Sequence, residues 1–357
     1  MAEIGIGIIG LGVGHSRSKM AQQAESMRLV AVCDKLEDRR TNGAAEFGVP
    51  GYEDYRKLLD RKDIDVIGIF TPAGLRREIA LDALDAGKHV ILTKPMEVNI
   101  ARCDDMIKAA DAKKLRLVVD FDSRYTPHNR AVKRAIDEGM FGRMLMGEVK
   151  LKWYRNQAYY DWNRGWRGTW RLDGGGSLAN QTIHYIDRIQ WFMGPPASVF
   201  GYVGVFRHAI EAEDQGVAVI KWKSGALGTI VGATTTVPDF EFTRVELHGE
   251  RGGFVTMATS GSYTPNPKKG EHIESCIFTD ENGKTISTEL IEVPPGPRTI
   301  MEDVVSMLTK GTEPMVSGRE GRKSVEILNG IYESSQTGKE VTFPLAKPFI
   351  PKGGYTR

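Results

Sequence analysis

The sequence predicts an α/β protein of two domains: a doubly wound domain on a parallel sheet, then an α+β domain on a mostly antiparallel sheet. Three observations predict it. Short apolar runs alternate with helical segments from the N-terminus to about residue 122, which implies parallel strands joined by right-handed crossovers. Beyond that point the runs are longer, alternate apolar with polar, and are separated by tight turns, the pattern of antiparallel pairing. A length of 357 residues suits two domains at roughly 150 residues each. The expected domains are 1–122 and 123–357.

The elements follow in order. Ile4–Ile9 reads as a strand and His15–Ala24 as a helix. Leu29–Cys33 is the second strand and Asp38–Glu46 the next helix. Asp54–Leu59 reads as a helical turn, Val66–Phe70 as a buried strand before the turn Thr71-Pro72, and Arg77–Ala86 as a helix stopped by Gly87. Val90–Leu92 is a strand ending in Thr93-Lys94-Pro95, followed by a helix over Ile100–Lys113 and a strand over Leu115–Val119. In the second half, Ala131–Glu138 is helical and Met144–Trp153 is a strand exposed on one face. After an aromatic, arginine-rich stretch, Trp153–Arg171, and the triplet Gly174–Gly176, a helix runs from about Ser177 to Met193. Strand-like runs follow at Ser198–Phe206, Gly216–Trp222, Gly228–Ala233, Phe242–Gly249 and Gly252–Met257. Ser260–His272 reads as a polar loop, and Thr299–Leu308 and Arg319–Ser335 as closing helices.

Composition narrows the function. Lysine plus arginine number 48 and aspartate plus glutamate 46, a net charge of +2. That balance carries no electrostatic footprint for nucleic acid or an anionic membrane. No apolar run approaches the length of a membrane span, and MAEIGIGIIG has neither a basic leader nor a cleavage site. Cys33, Cys103 and Cys276 lack metal-ligand spacing and fit reduced thiols of a cytoplasmic protein. No metal site is expected.

The first strand runs into a glycine turn. The literal GxGxxG match, at Gly5, Gly7 and Gly10, lies inside the strand. The frame that follows a strand and opens a helix is Gly10-Leu11-Gly12-Val13-Gly14-His15. Such a turn lets a backbone approach a pyrophosphate, which then meets the free N–H groups of a helix start. Asp34, 24 residues after Gly10 and at a strand end, suits acceptance from both ribose hydroxyls. Its charge repels a 2′-phosphate, so NAD is favoured over NADP. Lys35, Arg39 and Arg40 lie nearby and pull the other way. Asp34 as an ordinary strand-end residue, and His15 as a residue packing near the phosphates, are the plainer readings. Val13, His15, Thr71, Pro72, Lys94 and Pro95 complete the cofactor candidates.

Two residues have the chemistry for proton work. Lys94 follows a strand at the carboxyl edge of the sheet, where ligands bind in such folds; desolvation there would lower its pKa toward a useful range. Asn180, His184 and Asp187 are spaced by four and three, on one helical face, beside the core stripe Ile183, Ile186, Ile189/Gln190 and Met193. A histidine suits taking the proton of an alcohol as hydride leaves, though a hydrogen-bonded structural histidine and a surface lysine remain open readings. Asp187 reads as structural. The aromatic stretch suits stacking on a sugar, or plain packing. Arg124, Arg155, Arg164, Arg167 and Arg171 are available for a charged substrate.

These pieces together resemble the Gfo/Idh/MocA family, the glucose-fructose oxidoreductase and inositol dehydrogenase group. The resemblance rests on the glycine turn, Thr71-Pro72 through Ala86-Gly87-Lys88-His89-Val90, Lys94-Pro95, Arg124-Tyr125 and GGGSLANQTIHYID at 174–187. It continues through 211–232 and 317–339. It implies an N-terminal Rossmann domain and a C-terminal domain with a large open sheet that pairs copies into homodimers or homotetramers. It implies reversible NAD(P)-dependent oxidation of a secondary hydroxyl on a sugar, sugar derivative or cyclitol. Lys94 would position that hydroxyl, His184 accept its proton, and Asn180 orient it, with Arg124, Tyr125 and Trp166 toward the substrate. The family also has members that use a transient oxidation to cleave or rearrange glycosidic bonds, and members that bind the dinucleotide without turnover. Three departures stand out: Thr93 replaces the usual glutamate before the lysine, Asn180 replaces an aspartate, and His15 occupies the third glycine position, which puts tight helix–strand packing in question.

Overall fold

The computed structural model describes residues 3–260, 272–293, 295–352 and 354. The chain divides into two compact units. The first comprises the chain up to Glu97, Ala101–Tyr125 and Pro295–Arg322; Val98–Ile100, the stretch from Thr126 to the 290s and everything from Lys323 on belong to the second. A single cut at residue 122 therefore does not describe the chain, because a late segment returns to the first unit.

The first unit holds β1 (Ile4–Ile9), α1 (Gly14–Gln23), β2 (Met27–Cys33), α2 (Glu37–Phe47), β3 (Gly51–Tyr52), α3 (Arg56–Leu59), β4 (Val66–Ile69), α4 (Arg76–Asp85), β5 (His89–Thr93), most of α5 (Ile100–Ala112) and β6 (Leu117–Asp120). Its sheet is parallel, in the order β3-β2-β1-β4-β5-β6. The order reverses at β1, and that switch point opens a crevice at the carboxyl ends of the strands. Every residue of β1 and β4 is buried, as a sheet covered by helices on both faces requires. Ile300, Met301, Val304 and Met307 complete this core. The amphipathic pattern of their helix was legible, but the core it joins was not.

The second unit contains α6 (Pro127–Asp137), β7 (Met144–Lys152), α7 (Gln157–Gly165), α8 (Ile183–Met193), β8 (Pro196–Gly204), β9 (Gln215–Trp222), β10 (Leu227–Ala233), β11 (Glu241–Gly249), β12 (Gly252–Ser260), β13 (His272–Thr279) and β14 (Thr285–Ser287). α9 (Ile300–Lys310) lies in the first unit, α10 (Gly318–Thr337) passes from the first into the second, and β15 (Val341–Thr342) closes the chain. Among the described residues the sheet has nine strands, in the order β14-β13-β12-β11-β7-β10-β9-β8-β15. All neighbours are antiparallel except β7 and β10. β9 alternates without exception, with Ala218, Ile220 and Trp222 buried and Val217 and Val219 exposed. The expected loop over Ser260–His272 has its two end residues in strands, and residues 261–271 lie outside the described ones. β13, β14 and β15 escaped the pattern reading, being short or rich in polar residues.

The expected helix 177–193 is interrupted. Leu178–Thr182 forms a π-turn before α8 begins. π-turns widen the helix by one residue and are frequent at functional sites.

Candidate active site

In the first unit the site is built at the ends of β1, β2, β4, β5 and β6. Gly10 has φ +89°, and a Cβ there would stand 2.9 Å from the Phe70 carbonyl. Only glycine fits this turn. Helix α1 starts without a capping side chain and without an acid in its first turn. Its N-terminal N–H groups and partial positive charge are thus left for an anion. Val13, at that helix start, is 49 % exposed.

Asp34 closes β2 with its carboxylate nearly buried. Oδ2 accepts from the Leu11 N–H at 2.7 Å and Oδ1 from the Leu36 N–H at 2.8 Å. Asp34 therefore also holds the glycine turn, and each oxygen keeps a lone pair free. The Arg39 guanidinium approaches within 3.5 Å of the position a Cβ on Gly12 would take, and Arg40 donates to the Asp34 carbonyl at 3.1 Å.

The concern over His15 resolves in favour of tight packing. The close helix–strand contact is made one residue earlier. A Cβ on Gly14 would meet Ile8 at 2.9 Å and Phe70 at 3.3 Å. His15 points away, with Nε2 2.7 Å from a Glu46 carboxylate oxygen and its ring against Phe47.

The turns carrying Thr71-Pro72 and Lys94-Pro95 are joined by one side chain that the sequence did not flag. Arg76 is 4 % exposed. It donates to the Thr71 carbonyl at 2.9 and 2.6 Å, to the Thr93 carbonyl at 2.8 Å, and to the Pro95 carbonyl. Thr93 thus contributes its backbone to this staple. Lys94 is half-buried, with its preceding residue Thr93 paired to Asp120 across β5 and β6. Burial pushes the Asp120 carboxyl up, against the pull of Arg17 at 2.6 Å and of Lys94. Asp120 closes the strand LVVD as Asp34 closes β2, a signal that could have found it.

Arg124 and Tyr125, expected toward a substrate, are interior side chains of the first unit. Arg124 is 1 % exposed and reaches Glu320 at 3.4 Å. The Tyr125 hydroxyl donates to Asp303 at 2.9 Å. A buried phenol needs such a partner, so Tyr125 belongs to the core.

In the second unit the candidate residues sit on and after the glycine triplet, in the π-turn and the start of α8. A Cβ on Gly176 would collide with the Glu213 carbonyl at 1.7 Å. Glu213 is fully buried. Its Oε1 accepts from the N–H groups of Gly176 at 2.8 Å and Leu178 at 2.9 Å, and from the Tyr332 hydroxyl at 2.8 Å; Oε2 has no partner among the described residues. Burial pushes this carboxyl up to about 7. Local sequence reading missed Glu213, which sits 37 residues from Gly176.

Asn180 lies in the π-turn. Its Nδ2 donates to Asp173 at 2.8 Å, and the Tyr159 hydroxyl stands 3.4 Å from its Oδ1. Gln181 donates to the same hydroxyl at 2.6 Å. His184 is half-buried in the first turn of α8. Asp187, expected on the same helical face as Asn180 and His184, is fully buried. The stripe of Ile183, Ile186, Ile189, Gln190 and Met193 is buried as expected. Trp166 is half-buried beside Arg167, whose guanidinium lies 4.8 Å from its ring. Among the described residues no cluster suits a metal ion, and no helix is long and apolar enough to cross a membrane. The three cysteines are unpaired and buried.

Comparison with known proteins agrees with this geometry. The model of the oxidoreductase family with an NAD-binding Rossmann fold matches residues 4–121, and that of the Gfo/Idh/MocA C-terminal domain matches residues 129–255. Myo-inositol 2-dehydrogenase of Thermotoga maritima is 26 % identical over 333 residues, covering 90 % of this chain and 92 % of that protein. Levoglucosan dehydrogenase of Pseudarthrobacter phenanthrenivorans is 25 % identical over 71 % of this chain and 74 % of its own. Among solved structures, the WlbA dehydrogenase from Bordetella pertussis, in complex with NADH and UDP-GlcNAcA, is 30 % identical with a TM-score of 0.82 over 96 % of this chain and 99 % of that one. The glycine turn, the uncapped helix start and the acid closing β2 thus belong to an NAD-binding Rossmann domain, and the chain is a member of the Gfo/Idh/MocA oxidoreductase family.

Proposed function

We propose that the protein is an NAD-dependent dehydrogenase that reversibly oxidises a secondary hydroxyl of a sugar, sugar derivative or cyclitol. The observation that carries this reading is His184, a half-buried imidazole one turn beyond an asparagine fixed by Asp173. Relatives of this chain are sugar and inositol dehydrogenases, which supports the same class of substrate.

The residues present suit the dinucleotide. The turn at Gly10 and Gly12 leaves its pyrophosphate room beside the start of α1. The remaining acceptor capacity of Asp34 suits the ribose hydroxyls and disfavours a 2′-phosphate. Thr71, Pro72 and Pro95 shape the strand ends. Bound NAD supplies the hydride acceptor. The chain supplies the rest. Lys94 donates to the substrate hydroxyl oxygen and holds it. Neutral His184 takes the hydroxyl proton as the carbon gives up its hydride, and returns it in the reverse direction. Asn180 orients the hydroxyl but has no proton to exchange at neutral pH.

The test is an absorbance screen for NADH over sugars, sugar acids, glycosides and inositols, with cofactor content measured on the purified protein. Net NADH formation, better with NAD than with NADP, is the expected result. Tightly held cofactor with product but no net NADH would instead indicate transient oxidation, and binding without any reaction would indicate a sensor.

The second unit suggests self-association. Tyr202 lies opposite Val217 in the ladder, and Val219 and Leu227 share that face. They are 65, 45, 54 and 60 % exposed. We propose that a second copy covers this apolar face, giving a homodimer or homotetramer. Light scattering should show an oligomer that Val219→Asp weakens, and a monomeric wild type would contradict the proposal.

A further inference from the structure

The aromatic stretch 153–171 carries arginines that the redox chemistry leaves unused, and among the described side chains one is unlike the others. Arg155 donates to the Tyr154 carbonyl at 2.7 Å and lies 3.8 Å from Glu241. Arg171 is exposed. Arg167 is partly buried, with its guanidinium carbon 4.6, 5.0 and 4.8 Å from the ring centres of Tyr159, Trp162 and Trp166. Among the described residues it has one acceptor, the Tyr159 carbonyl, at a long 3.5 Å. Among those residues no carboxylate pairs with it, and its Nε–H is buried without a partner.

Aromatic rings attract a guanidinium by cation–π contact and cover its surroundings, but they accept none of its in-plane hydrogen bonds. A donor buried without an acceptor is destabilising, because its lost hydration is not replaced. Arg167 is thus a cation held in place by rings, without a carboxylate among the described residues, and with all but one long bond of its donor fork unspent. The natural complement of that fork is a bidentate oxyanion.

The location gives the oxyanion its owner. Arg167 stacks on the ring of Tyr159, and the hydroxyl of the same tyrosine meets Asn180 and Gln181. One tyrosine therefore separates the cation from the turn that leads to His184, a length comparable to one sugar ring. The Arg155 guanidinium also lies over the Tyr159 ring, at 5.3 Å, and adds positive potential.

We propose that Arg167 reads an oxyanion, a carboxylate or a phosphate, carried by the substrate sugar away from its reacting carbon. The inference rests on the dehydrogenase reading and narrows its substrate to acidic sugars. The test measures kcat/KM for a neutral hexose, the matching hexuronate and the matching hexose phosphate, on wild type, Arg167→Gln and Arg167→Lys. Wild type should favour one anionic sugar over the neutral one by about tenfold or more, and which one it is distinguishes carboxylate from phosphate. In Arg167→Gln that ratio should collapse, chiefly through KM. Arg167→Lys should restore part of it, since charge returns without the fork. A wild-type preference for the neutral sugar, or the same ratio in Arg167→Gln, would overturn the proposal. NADH affinity and circular dichroism establish that the variants are folded. Should no sugar turn over, the dehydrogenase reading fails by itself. Calorimetric titration of hexuronate and hexose into the NADH-loaded protein then decides the inference: selective binding lost in Arg167→Gln upholds it, and absence of selective binding sinks it.

Discussion

Arg76 in the first unit and Glu213 in the second do the same work with opposite charge. Arg76 is a buried donor that gathers the carbonyls of Thr71, Thr93 and Pro95, fixing two strand-end turns at the cofactor edge. Glu213 is a buried acceptor that gathers the N–H groups of Gly176 and Leu178, fixing the turn that leads to Asn180 and His184. The difference lies in satisfaction and in titration. A guanidinium stays charged at any ordinary pH. The Glu213 carboxyl has one oxygen without a partner, and burial brings it to about 7. The first unit therefore holds its loops in a pH-independent way, whereas the second holds the turn leading to Asn180 and His184 through a group that changes charge near neutrality.

The largest effect should come from the groups that the two staples position. His184→Ala and Lys94→Ala should each lower turnover by about a hundredfold or more, the scale of a positioned acid or base, with NADH affinity little changed. Near-normal turnover in both would remove the proposed roles.

Next in size is the cation staple. Arg76→Met leaves several buried carbonyls without donors, and hydrogen bonds to a charged group contribute about 1.5–3 kcal/mol. Urea unfolding should show a loss of about 3 kcal/mol or more, the same at pH 5 and pH 8. A strong pH dependence of that loss would show that a titrating group, and not the guanidinium alone, holds these turns.

The anion staple should give the smaller, pH-dependent effect. Glu213 has its folded pKa raised from 4.5 to about 7. Its contribution to stability is fully present below about pH 4.5 and is lost as pH rises through about 7, because the unfolded chain ionises more readily. Glu213→Gln removes this titration. Relative to wild type, the variant should therefore gain stability between those two pH values and run parallel to it above them. A difference independent of pH would show that the carboxyl does not titrate there.

The same contrast explains what the sequence made legible. Gly10, Asp34, Lys94 and His184 announce themselves by local context: a glycine after a strand, an acid at a strand end, a lysine before proline, a histidine beside an apolar stripe. Gly14 was visible but misassigned, because the spacing rule placed the packing contact at His15. Arg76 and Glu213 stayed hidden because their partners lie 17 and 37 residues away, and no local pattern encodes such pairs. The π-turn was equally silent: Leu178–Thr182 fits an α-helical period as well as a wider one. Helix α9 showed its apolar face but not the core that takes it, which is why a single boundary at 122 was too simple.

If His184 moves the substrate proton in an NAD-linked oxidation, its removal must slow NADH formation. The most direct measurement is NADH formation by wild type and His184→Ala, each saturated with NAD, across neutral and acidic sugars and inositols. Wild type should form net NADH with at least one sugar or inositol, and the variant should form it about a hundredfold more slowly. Equal rates in the two proteins, or no NADH from any of these substrates, would contradict it.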